Sequence, residues 1–339
     1  MTILDFERGM VRAHELYGDY WFNSEPVPVI AQRGRVLMLD FWDYSCAASV
    51  HAIRYVNDWH RKYSAEGLIV IGVHAPRFSF GKDPESVRRA VDRLGIKYPV
   101  VMDNDGIIWS RYRNRLWPAQ HIVDRDGFVR FMNEGGGNFA ATEHVIQTLM
   151  LDAGLLSDLP PLTSPMYDVD RPGAAHYRAT PEIFAGYLRG SMGNVEGYGP
   201  ESEIHYADPG IYLEGRFYVG GDWSNDREDL RLVGEKEGHI VVRYGGLDVD
   251  VVIAASGKTA ADIKVHQDGR SLTAENRGED VRIEADGRSL LTVGEARSYN
   301  VVRNREHGEH ILKLTAPKGG LLLYSFSFAA GAIPELISG

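Results

Sequence analysis

A change in hydrophobic pattern near the middle of the chain is the sequence feature that most constrains its fold. Before residue 151, apolar runs of strand length alternate with segments of helical spacing. After residue 211, short apolar runs follow one another and are separated by turn-forming residues. Strand–helix alternation is typical of a sheet covered by helices, whereas spaced short strands are typical of an all-β domain. The 339 residues therefore predict two domains rather than one.

The first half predicts an α/β domain with a mixed sheet and helices on both faces. Its strand candidates are short apolar runs, and its helix candidates place apolar residues on one side. The Asp126-Gly127 pair between two strand-like runs predicts a hairpin. The predicted strands are residues 35–42, 68–73, 100–101, 120–123 and 128–132, and the predicted helices are residues 47–63, 84–94, 107–112 and 142–151.

The second half predicts an all-β sandwich or jelly roll. Its short apolar runs are punctuated by turn dipeptides, as in successive strands joined by tight turns. A short helix is also predicted over residues 181–188, because Thr180 is a suitable N-cap and Pro181 suits the first helical position. The turn dipeptides are Gly220-Gly221, Gly245-Gly246, Asp268-Gly269, Asp286-Gly287 and Gly319-Gly320.

Residues 154–180 are predicted to link the two domains. Pro160, Pro161, Pro165 and Pro172 fall in a stretch with few apolar runs. Charge divides near the same place: the first 150 residues carry 18 Lys and Arg against 18 Asp and Glu, so the whole net charge of −10 lies beyond them. The predicted domains are residues 1–153 and residues 181–339.

Composition and charge exclude several classes of partner. A net charge of −10 without a long Lys/Arg run argues against nucleic acid and anionic membrane surfaces. No stretch approaches the roughly 18 apolar residues that a membrane-spanning helix needs. The N-terminal region has acids among its first residues and no apolar core segment, unlike a secretory signal. We therefore expect a cytoplasmic protein.

Cys46 is the single cysteine of the chain. One cysteine forms no internal disulfide and builds no Cys-rich zinc site, and we expect neither a metal nor a cofactor. Its position between a predicted strand and a predicted helix indicates that the sulfur lies at a helix N-terminus. That setting lowers a thiol pKa to about 3.5–7.5 and favours a reactive thiolate. The alternative is a buried, inert cysteine.

Five sequence blocks of the first 150 residues occur in the order of a known family. The blocks are FWDYSC at 41–46, GLIVIGVHAP at 67–76, YPVVMDNDGIIW at 98–109, WPAQHIVDRDGFVRF at 117–131 and GGGNFAATEHVIQTLM at 135–150. With them the chain resembles the TlpA/DipZ branch of the thioredoxin-like superfamily, whose members are often extracytoplasmic. The remainder is less similar: GDWS at 221–224 and RSYNVVR at 297–303 match a β-sandwich that resembles a carbohydrate-binding module.

The resemblance implies roles for individual residues. Cys46 would be the nucleophile that attacks a disulfide, and Pro118 would be a cis-proline facing it. Asp40 would be a buried carboxylate with a raised pKa that relays protons. The residues expected to contact the substrate are Trp42, Tyr44, Trp117 and His74.

Three of these residues also fit plainer roles. The alternative for Asp40 is an acid at a strand end that bonds to backbone or solvent. Trp42 is equally a core aromatic after an apolar strand. His74 would either tune the Cys46 thiolate or form a hydrogen bond at the end of its strand. The sequence leaves these alternatives open.

Ser49 marks a departure from the family pattern. The family motif is Cys-x-x-Cys, but this chain has Cys46-Ala47-Ala48-Ser49. A hydroxyl does not replace a thiolate in releasing a mixed disulfide, so dithiol cycling within one chain is excluded. Three explanations remain: a natural monothiol enzyme resolved by an external thiol, a Cys-to-Ser trapping variant, or a binding scaffold without redox function.

The favoured interpretation is a monothiol thiol–disulfide oxidoreductase. Its partners would be a disulfide-containing protein or a low-molecular-weight thiol, together with an external thiol reductant, and a homo-oligomer is one arrangement considered. The first alternative is a non-catalytic interaction protein. The second is a one-cysteine peroxidase, which Asp43 disfavours because it stands where such enzymes have Thr.

Overall fold

The computed structural model describes residues 11–257 and 260–334, and the chain divides into two compact units. The first unit ends at Pro172 and the second begins at Gly173. The predicted linker, 154–180, is therefore divided between them, and most of it belongs to the first unit.

A six-stranded mixed sheet forms the centre of the first unit. Its strands are β1 (Trp21–Phe22), β2 (Val36–Trp42), β3 (Leu68–His74), β4 (Val100–Met102), β5 (Ala119–Val123) and β6 (Val129–Glu134). Their order is β1-β4-β3-β2-β5-β6. β2, β3 and β4 are parallel neighbours, whereas β5 and β6 continue the sheet antiparallel. β2 therefore occupies a central position with both edges paired.

Helices cover both faces of this sheet. The four α-helices of the described residues are α1 (Ala47–Tyr63), α2 (Pro84–Arg93), α3 (Ile107–Arg111) and α4 (Phe139–Asp152). Successive side chains of a strand point to opposite faces. Met38 of β2 accordingly packs in one core with α1, α2 and α4, and Leu39 packs in the other core with α3. The predicted α/β domain with a mixed sheet and helices on both faces is confirmed.

The segment that follows α4 is held against α1 by buried polar groups. Glu143 of α4, only 1% exposed, accepts hydrogen bonds from Lys62 Nζ (2.7 Å) and the Tyr63 hydroxyl (2.6 Å). Its second carboxylate oxygen accepts the Thr163 backbone N–H at 2.7 Å. These donors satisfy a carboxylate that would otherwise be costly to bury. Residues of the predicted linker thus form part of the first unit.

A second set of contacts fixes the far end of the same segment. The Tyr55 hydroxyl donates to Asp170 Oδ2 at 2.6 Å and accepts the Met166 backbone N–H at 2.6 Å. His51 Nε2 lies 3.0 Å from the same oxygen of Asp170. The Tyr55 ring also stacks on Phe139 at 3.9 Å between centroids. α1 is therefore covered by chain that the sequence assigned to a linker.

The second unit is rich in β-strands that form one hydrogen-bonded network. The strands are β7 (Ile183–Phe184), β8 (Glu203–Tyr206), β9 (Phe217–Asn225), β10 (Leu230–Leu232), β11 (Gly238–Ala255), β12 (Ala261–Gln267), β13 (Arg270–Ser271), β14 (Val281–Ile283), β15 (Ser289–Val293), β16 (Arg297–Ala316) and β17 (Leu321–Ala329). The first half of β11 pairs with β9 and its second half with β17. Register shifts occur between these halves, where β11 pairs with β16. The long strands β11 and β16 pair with each other, and β11 extends from the part of the network that contains β9 to the part that contains β17. The strands enclose a single apolar core.

The second unit confirms the β-rich prediction and corrects one element. The helix predicted over residues 181–188 is wrong, because Ile183 and Phe184 form β7 and pair with Phe326 and Ser325 of β17. Ile183 is buried in the core. Burial on the edge of a sheet outweighs the local preference of Thr180 and Pro181 for a helix start.

Removing the Glu143 carboxylate tests how firmly the segment after α4 is attached. Glu143→Ala leaves Lys62, Tyr63 and the Thr163 N–H without their acceptor, and we expect the free energy of unfolding to fall by about 2–4 kcal/mol. Urea unfolding followed by tryptophan fluorescence measures the change. Glu85→Ala is the matched control, since Glu85 forms an exposed ion pair with Arg88 and its loss changes stability by less than about 1 kcal/mol. Equal effects of the two substitutions would contradict the prediction.

Candidate active site

Cys46 occupies the N-cap of α1. Its backbone is extended (φ −99°, ψ 112°), and its N–H donates to the Asp43 carbonyl at 3.0 Å. Its own carbonyl accepts the Val50 N–H at 3.0 Å, as an N-cap carbonyl does. The sulfur therefore lies at the first turn of a 17-residue helix, with the residue only 7% exposed.

The loop before β5 lies against the sulfur. The Trp117–Pro118 peptide bond is cis, and Cys46 Sγ is 3.9 Å from the Trp117 carbonyl oxygen. The Trp117 indole N–H donates to the Ala75 carbonyl at 2.9 Å, and its ring stacks on Trp109 at 4.0 Å. The end of β3, the start of α1 and the loop before β5 thus meet at Cys46.

Burial dominates the electrostatics of the thiol. Desolvation raises the pKa of Cys46 above its ordinary range. The positive charge of Arg77 and hydrogen bonds from Ser49 act in the opposite direction, and Asp43 adds to the increase. The sequence predicted a lowered pKa from the helix N-terminus, and this prediction is wrong because the sequence pattern contains no information on how completely the sulfur is buried.

Ser49 lies one turn into α1 and is fully buried. Its hydroxyl and its backbone N–H form hydrogen bonds with Cys46. The Ser49 oxygen also accepts the Asp43 N–H at 3.4 Å. Ser49 therefore supplies hydrogen bonds to the sulfur at the position where the family pattern has a second thiol.

Asp43 is a site residue that the sequence analysis did not identify. One carboxylate oxygen accepts the N–H of Ser45 at 2.6 Å and also bonds the Ser45 hydroxyl. The other accepts the Arg77 N–H at 2.9 Å. This buried carboxylate joins the turn before Cys46 to the loop after β3. The sequence feature that could have identified it is an acid directly after the apolar residues Phe41 and Trp42.

Three of the predicted contact residues are buried: Trp42, Tyr44 and His74. His74 stacks on Tyr44 at 5.3 Å between centroids and meets the edge of Trp42 at 5.0 Å. Neither ring nitrogen of His74 has a hydrogen-bond partner within the described part of the chain, and Nε2 lies 3.7 Å from Asp43 Oδ2. Burial lowers the pKa of His74, so the ring is neutral at neutral pH. Trp117 is the partly exposed member of the predicted contact set, and its role in substrate contact stays a prediction.

Asp40 lies deeper on β2 and is fully buried. One oxygen accepts the Gln120 side-chain N–H at 3.4 Å, and the other has no hydrogen-bond partner among the described residues. Burial raises the pKa of Asp40 to about 7, and the Gln120 hydrogen bond offsets part of this effect. The Tyr98 hydroxyl and the Trp42 indole N–H are also buried without a partner in the described ranges. Asp40 is therefore able to take up or release a proton near neutral pH.

The described residues contain neither a metal-ligand cluster nor a helix suited to crossing a bilayer. Within residues 11–257 and 260–334, no group of three or more His, Cys, Asp or Glu side chains is arranged to hold a metal ion. In the same part of the chain, no helix has the length and apolar character needed to cross a bilayer.

Two family models match the two halves of the chain. Residues 22–132 match the AhpC/TSA family, and this range contains Cys46 and every residue that surrounds it in the site. Residues 180–329 match the family described as thioredoxin like C-terminal domain. The two matches follow each other along the chain in the same order as the two structural units.

Curated relatives add to these matches. Protein DipZ of Mycobacterium bovis is 30% identical over 316 residues, which is 91% of this chain and 41% of DipZ, so the chain spans about two fifths of that relative. Thiol-disulfide oxidoreductase YkuV of Bacillus subtilis is 26% identical over 139 residues, covering 41% of this chain and 93% of YkuV. A solution structure of a thioredoxin-like protein in the oxidized form covers 42% of this chain and 97% of its own, with 26% identity and a TM-score of 0.40.

The family matches and relatives agree with the order of sequence blocks that first indicated a thioredoxin-like protein. Both halves of the chain are included: the first by the AhpC/TSA match and YkuV, the second by the C-terminal domain match, and both by DipZ. The chain belongs to the thioredoxin-like superfamily, in which its relatives include thiol–disulfide oxidoreductases.

Proposed function

We propose that this protein is a monothiol thiol–disulfide oxidoreductase in which Cys46 forms a mixed disulfide that an external thiol resolves. The single observation that supports this most is the position of the sulfur, at the start of α1 and 3.9 Å from the Trp117 carbonyl beside Pro118. A helix N-terminus stabilises negative charge on a thiolate as it forms. Similarity to YkuV, a thiol-disulfide oxidoreductase, supports the same class of reaction.

The proposed cycle has two exchange steps. The Cys46 thiolate attacks one sulfur of a disulfide, a new S–S bond forms, and the other sulfur leaves with the electron pair and takes a proton. An external thiolate then attacks the mixed disulfide, restoring Cys46 and forming a disulfide with the substrate half. Ser49 takes no part as a nucleophile because its hydroxyl stays protonated near neutral pH. Overall one sulfur of the substrate is released as a thiol, and the other ends in a disulfide with the external thiol, which is oxidised.

The surrounding groups have separate roles in this proposal. Ser49 and Arg77 stabilise the thiolate against the cost of burial. Asp43 holds the turn and the loop on either side of the sulfur. Asp40, with a pKa of about 7, supplies and accepts protons as the buried thiol changes charge. Trp117 contacts the substrate.

The substrate and the reductant are also part of the proposal. The substrate would be a disulfide-containing protein or a small disulfide, and the reductant a thiol of the surrounding compartment. The cytoplasmic location, the homo-oligomer and the domain boundaries at residues 153 and 181 stay predictions.

A non-catalytic binding protein is the second candidate. It is favoured by the burial of Cys46, which raises the pKa of the thiol, and by the Ser at position 49. A protein of this kind would keep the thioredoxin fold as a recognition surface and leave the thiol protonated. The one-cysteine peroxidase stays an alternative, which a sulfenic or sulfinic product after peroxide treatment would support.

Mixed-disulfide formation distinguishes these candidates. With the neutral hydroxyethyl disulfide, the oxidoreductase forms a Cys46 adduct that intact-mass measurement detects and that added thiol removes. Because the pKa of Cys46 is raised, the rate increases with pH through and beyond about 8.5, the ordinary thiol value. Cys46→Ser is the control. An absence of adduct throughout this pH range would overturn the oxidoreductase, and peroxide treatment would then separate the binding protein from the peroxidase.

A second thiol at position 49 tests whether the rest of the site is competent. Ser49→Cys restores the family motif, so the variant releases a bound substrate thiol without an added thiol and forms an internal disulfide. Insulin reduction measured by turbidity and the loss of two hydrogens by mass are the readouts. Ser49→Ala is the control and lacks both properties. Failure of the cysteine variant to form the disulfide would show that the site does not support dithiol exchange.

The Asp40 carboxyl predicts a stability that decreases with pH. The unfolded chain releases this proton near pH 3.8, but the folded chain keeps it until about pH 7. The stabilisation is complete below the lower value, is lost as pH rises between the two, and amounts to about 4 kcal/mol. Asp40→Asn removes this loss, so urea unfolding from pH 4 to 8 gives a flatter profile.

The control for this measurement is the substitution of a solvent-exposed carboxyl group. Asp92 is exposed on α2, and Asp92→Asn should leave the wild-type slope unchanged. A wild-type free energy of unfolding that is constant between pH 4 and 7 would contradict a buried, protonated Asp40.

A further inference from the structure

An open cavity of about 510 Å³ lies within the second unit. This volume is in the range of small-molecule sites in proteins. The segment before β7, the loop before β9, and the strands β11 and β16 contribute to its lining. The lining residues on which the argument depends are Arg178, Glu214, Gly245, His307 and Glu309.

The glycine at position 245 leaves space in this cavity. Gly245 lies in β11, and a Cβ atom at this position would have the Thr180 hydroxyl oxygen as its nearest neighbour, at 3.9 Å. Thr180 also holds the wall together, because its hydroxyl oxygen accepts the Gly245 N–H at 2.8 Å and donates to Glu214 at 2.8 Å. The space is therefore bordered by hydrogen-bonded chain and remains open to a ligand.

Groups of both charges line the cavity. Arg178 is exposed, and its guanidinium has neither an ion pair nor a hydrogen bond to any other residue in the described part of the chain. Glu214 uses one oxygen for the Thr180 hydroxyl, and Glu309 pairs through one oxygen with Arg243 at 2.7 Å. Both carboxylates are exposed and keep a second oxygen for a ligand.

His307 adds no charge to the cavity at neutral pH. Its ring stacks on Tyr177 at 4.8 Å between centroids, and its Nδ1 accepts the Gly331 N–H at 3.2 Å. Burial lowers the pKa of His307, so the ring is neutral. The charge that a ligand meets is therefore set by Arg178 and the two carboxylates.

We propose that this cavity binds a small zwitterion of the amino-acid or short-peptide type, with its carboxylate on Arg178 and its ammonium group beside Glu214 and Glu309. A guanidinium binds a carboxylate through two parallel hydrogen bonds, which gives this end of the ligand a fixed orientation. The inference goes beyond the proposed thiol–disulfide exchange and does not depend on Cys46.

Ligands of other charge complement this lining less well. An anion would meet two carboxylates, and a cation would meet the guanidinium of Arg178. A neutral ligand would remove the same guanidinium from water without pairing it, which is costly. The end of a protein chain carries only one of the two charges, so a free small molecule is the form that uses both parts of the lining.

Four forms of L-alanyl-L-alanine test the inference on the full chain. At about pH 7 the free dipeptide carries both charges, the amide only the ammonium, the N-acetyl form only the carboxylate, and the N-acetyl amide neither. Isothermal titration calorimetry at low salt gives the dissociation constant of each form. We expect the free dipeptide to bind about tenfold or more tightly than either singly blocked form, and the doubly blocked form to bind most weakly.

Substitutions of the charged groups assign each preference to a residue. Arg178→Gln should remove the preference for the free carboxylate over the amide and keep the preference for the free ammonium group. Glu214→Gln should weaken the preference for the ammonium group, and it keeps an oxygen for the Thr180 hydroxyl. Arg270→Gln is the matched control and should change no dissociation constant. Arg270 lies on β13, is exposed, and likewise has no ion pair in the described ranges.

A side chain placed in the cavity tests the location of binding. Gly245→Leu should abolish binding of every form, because the new side chain occupies the space beside Thr180. Far-UV circular dichroism checks that each variant folds. If Gly245→Leu does not fold, Arg178→Gln and Glu214→Gln still decide the matter, since both change exposed side chains.

Three results would overturn the inference. They are the absence of binding by the free dipeptide at millimolar concentration, equal dissociation constants for the four forms, and a carboxylate preference that survives Arg178→Gln. The proposed oxidoreductase is tested separately by adduct formation at Cys46, so none of these results bears on it.

Discussion

The buried carboxylate of Asp43 is the interaction on which the geometry around Cys46 depends. β2 and β3 are parallel neighbours, so their carboxyl ends meet at one edge of the sheet. Asp43 follows β2 and accepts hydrogen bonds both from the turn that leads to Cys46 and from the loop that follows β3. The start of α1, the position of Arg77 and the packing of His74 therefore share one anchor. A carboxylate with several donors also tolerates burial, which lets an acid lie beside a thiol inside the protein.

Hydrophobic patterning did not predict β1 (Trp21–Phe22), but it was enough to predict the other five strands and the four described α-helices of the first unit. Its strands are short apolar runs on a sheet covered on both faces, so burial, local preference and order along the chain agree. For the second unit, the β-rich character was predicted correctly. The conformation of residues 181–188 was not, because pairing of Ile183 with β17 overrides a local helix signal. Residues 154–172 have few apolar runs and therefore resemble a linker in sequence. They are attached through polar groups of helices that are distant in sequence.

In the candidate site too, a sequence motif identifies some residues, whereas the roles of others depend on contacts that only the folded structure brings together. Cys46, Pro118 and Asp40 were found because a family motif marks them. Asp43 was missed because its role depends on two loops meeting, and the direction of the Cys46 pKa was missed because burial is a property of the whole fold. The helix N-terminus and the Ser49 hydrogen bonds favour a thiolate, but they act against the cost of removing a charge from water. Burial outweighs them, so the pKa of the thiol is raised.

The hydrogen bonds that hold residues 163–170 against α1 and α4 affect where the first unit ends. The Tyr55 hydroxyl donates to Asp170, and Glu143 accepts the Thr163 backbone N–H, so these polar groups have their partners only while the segment stays packed. Cutting the chain at residue 153 would strip partners from the helix whose first turn holds Cys46. A shortened protein for biophysical work should therefore extend to residue 172, and a protease site placed between residues 154 and 172 would report on the integrity of α1 rather than on a hinge.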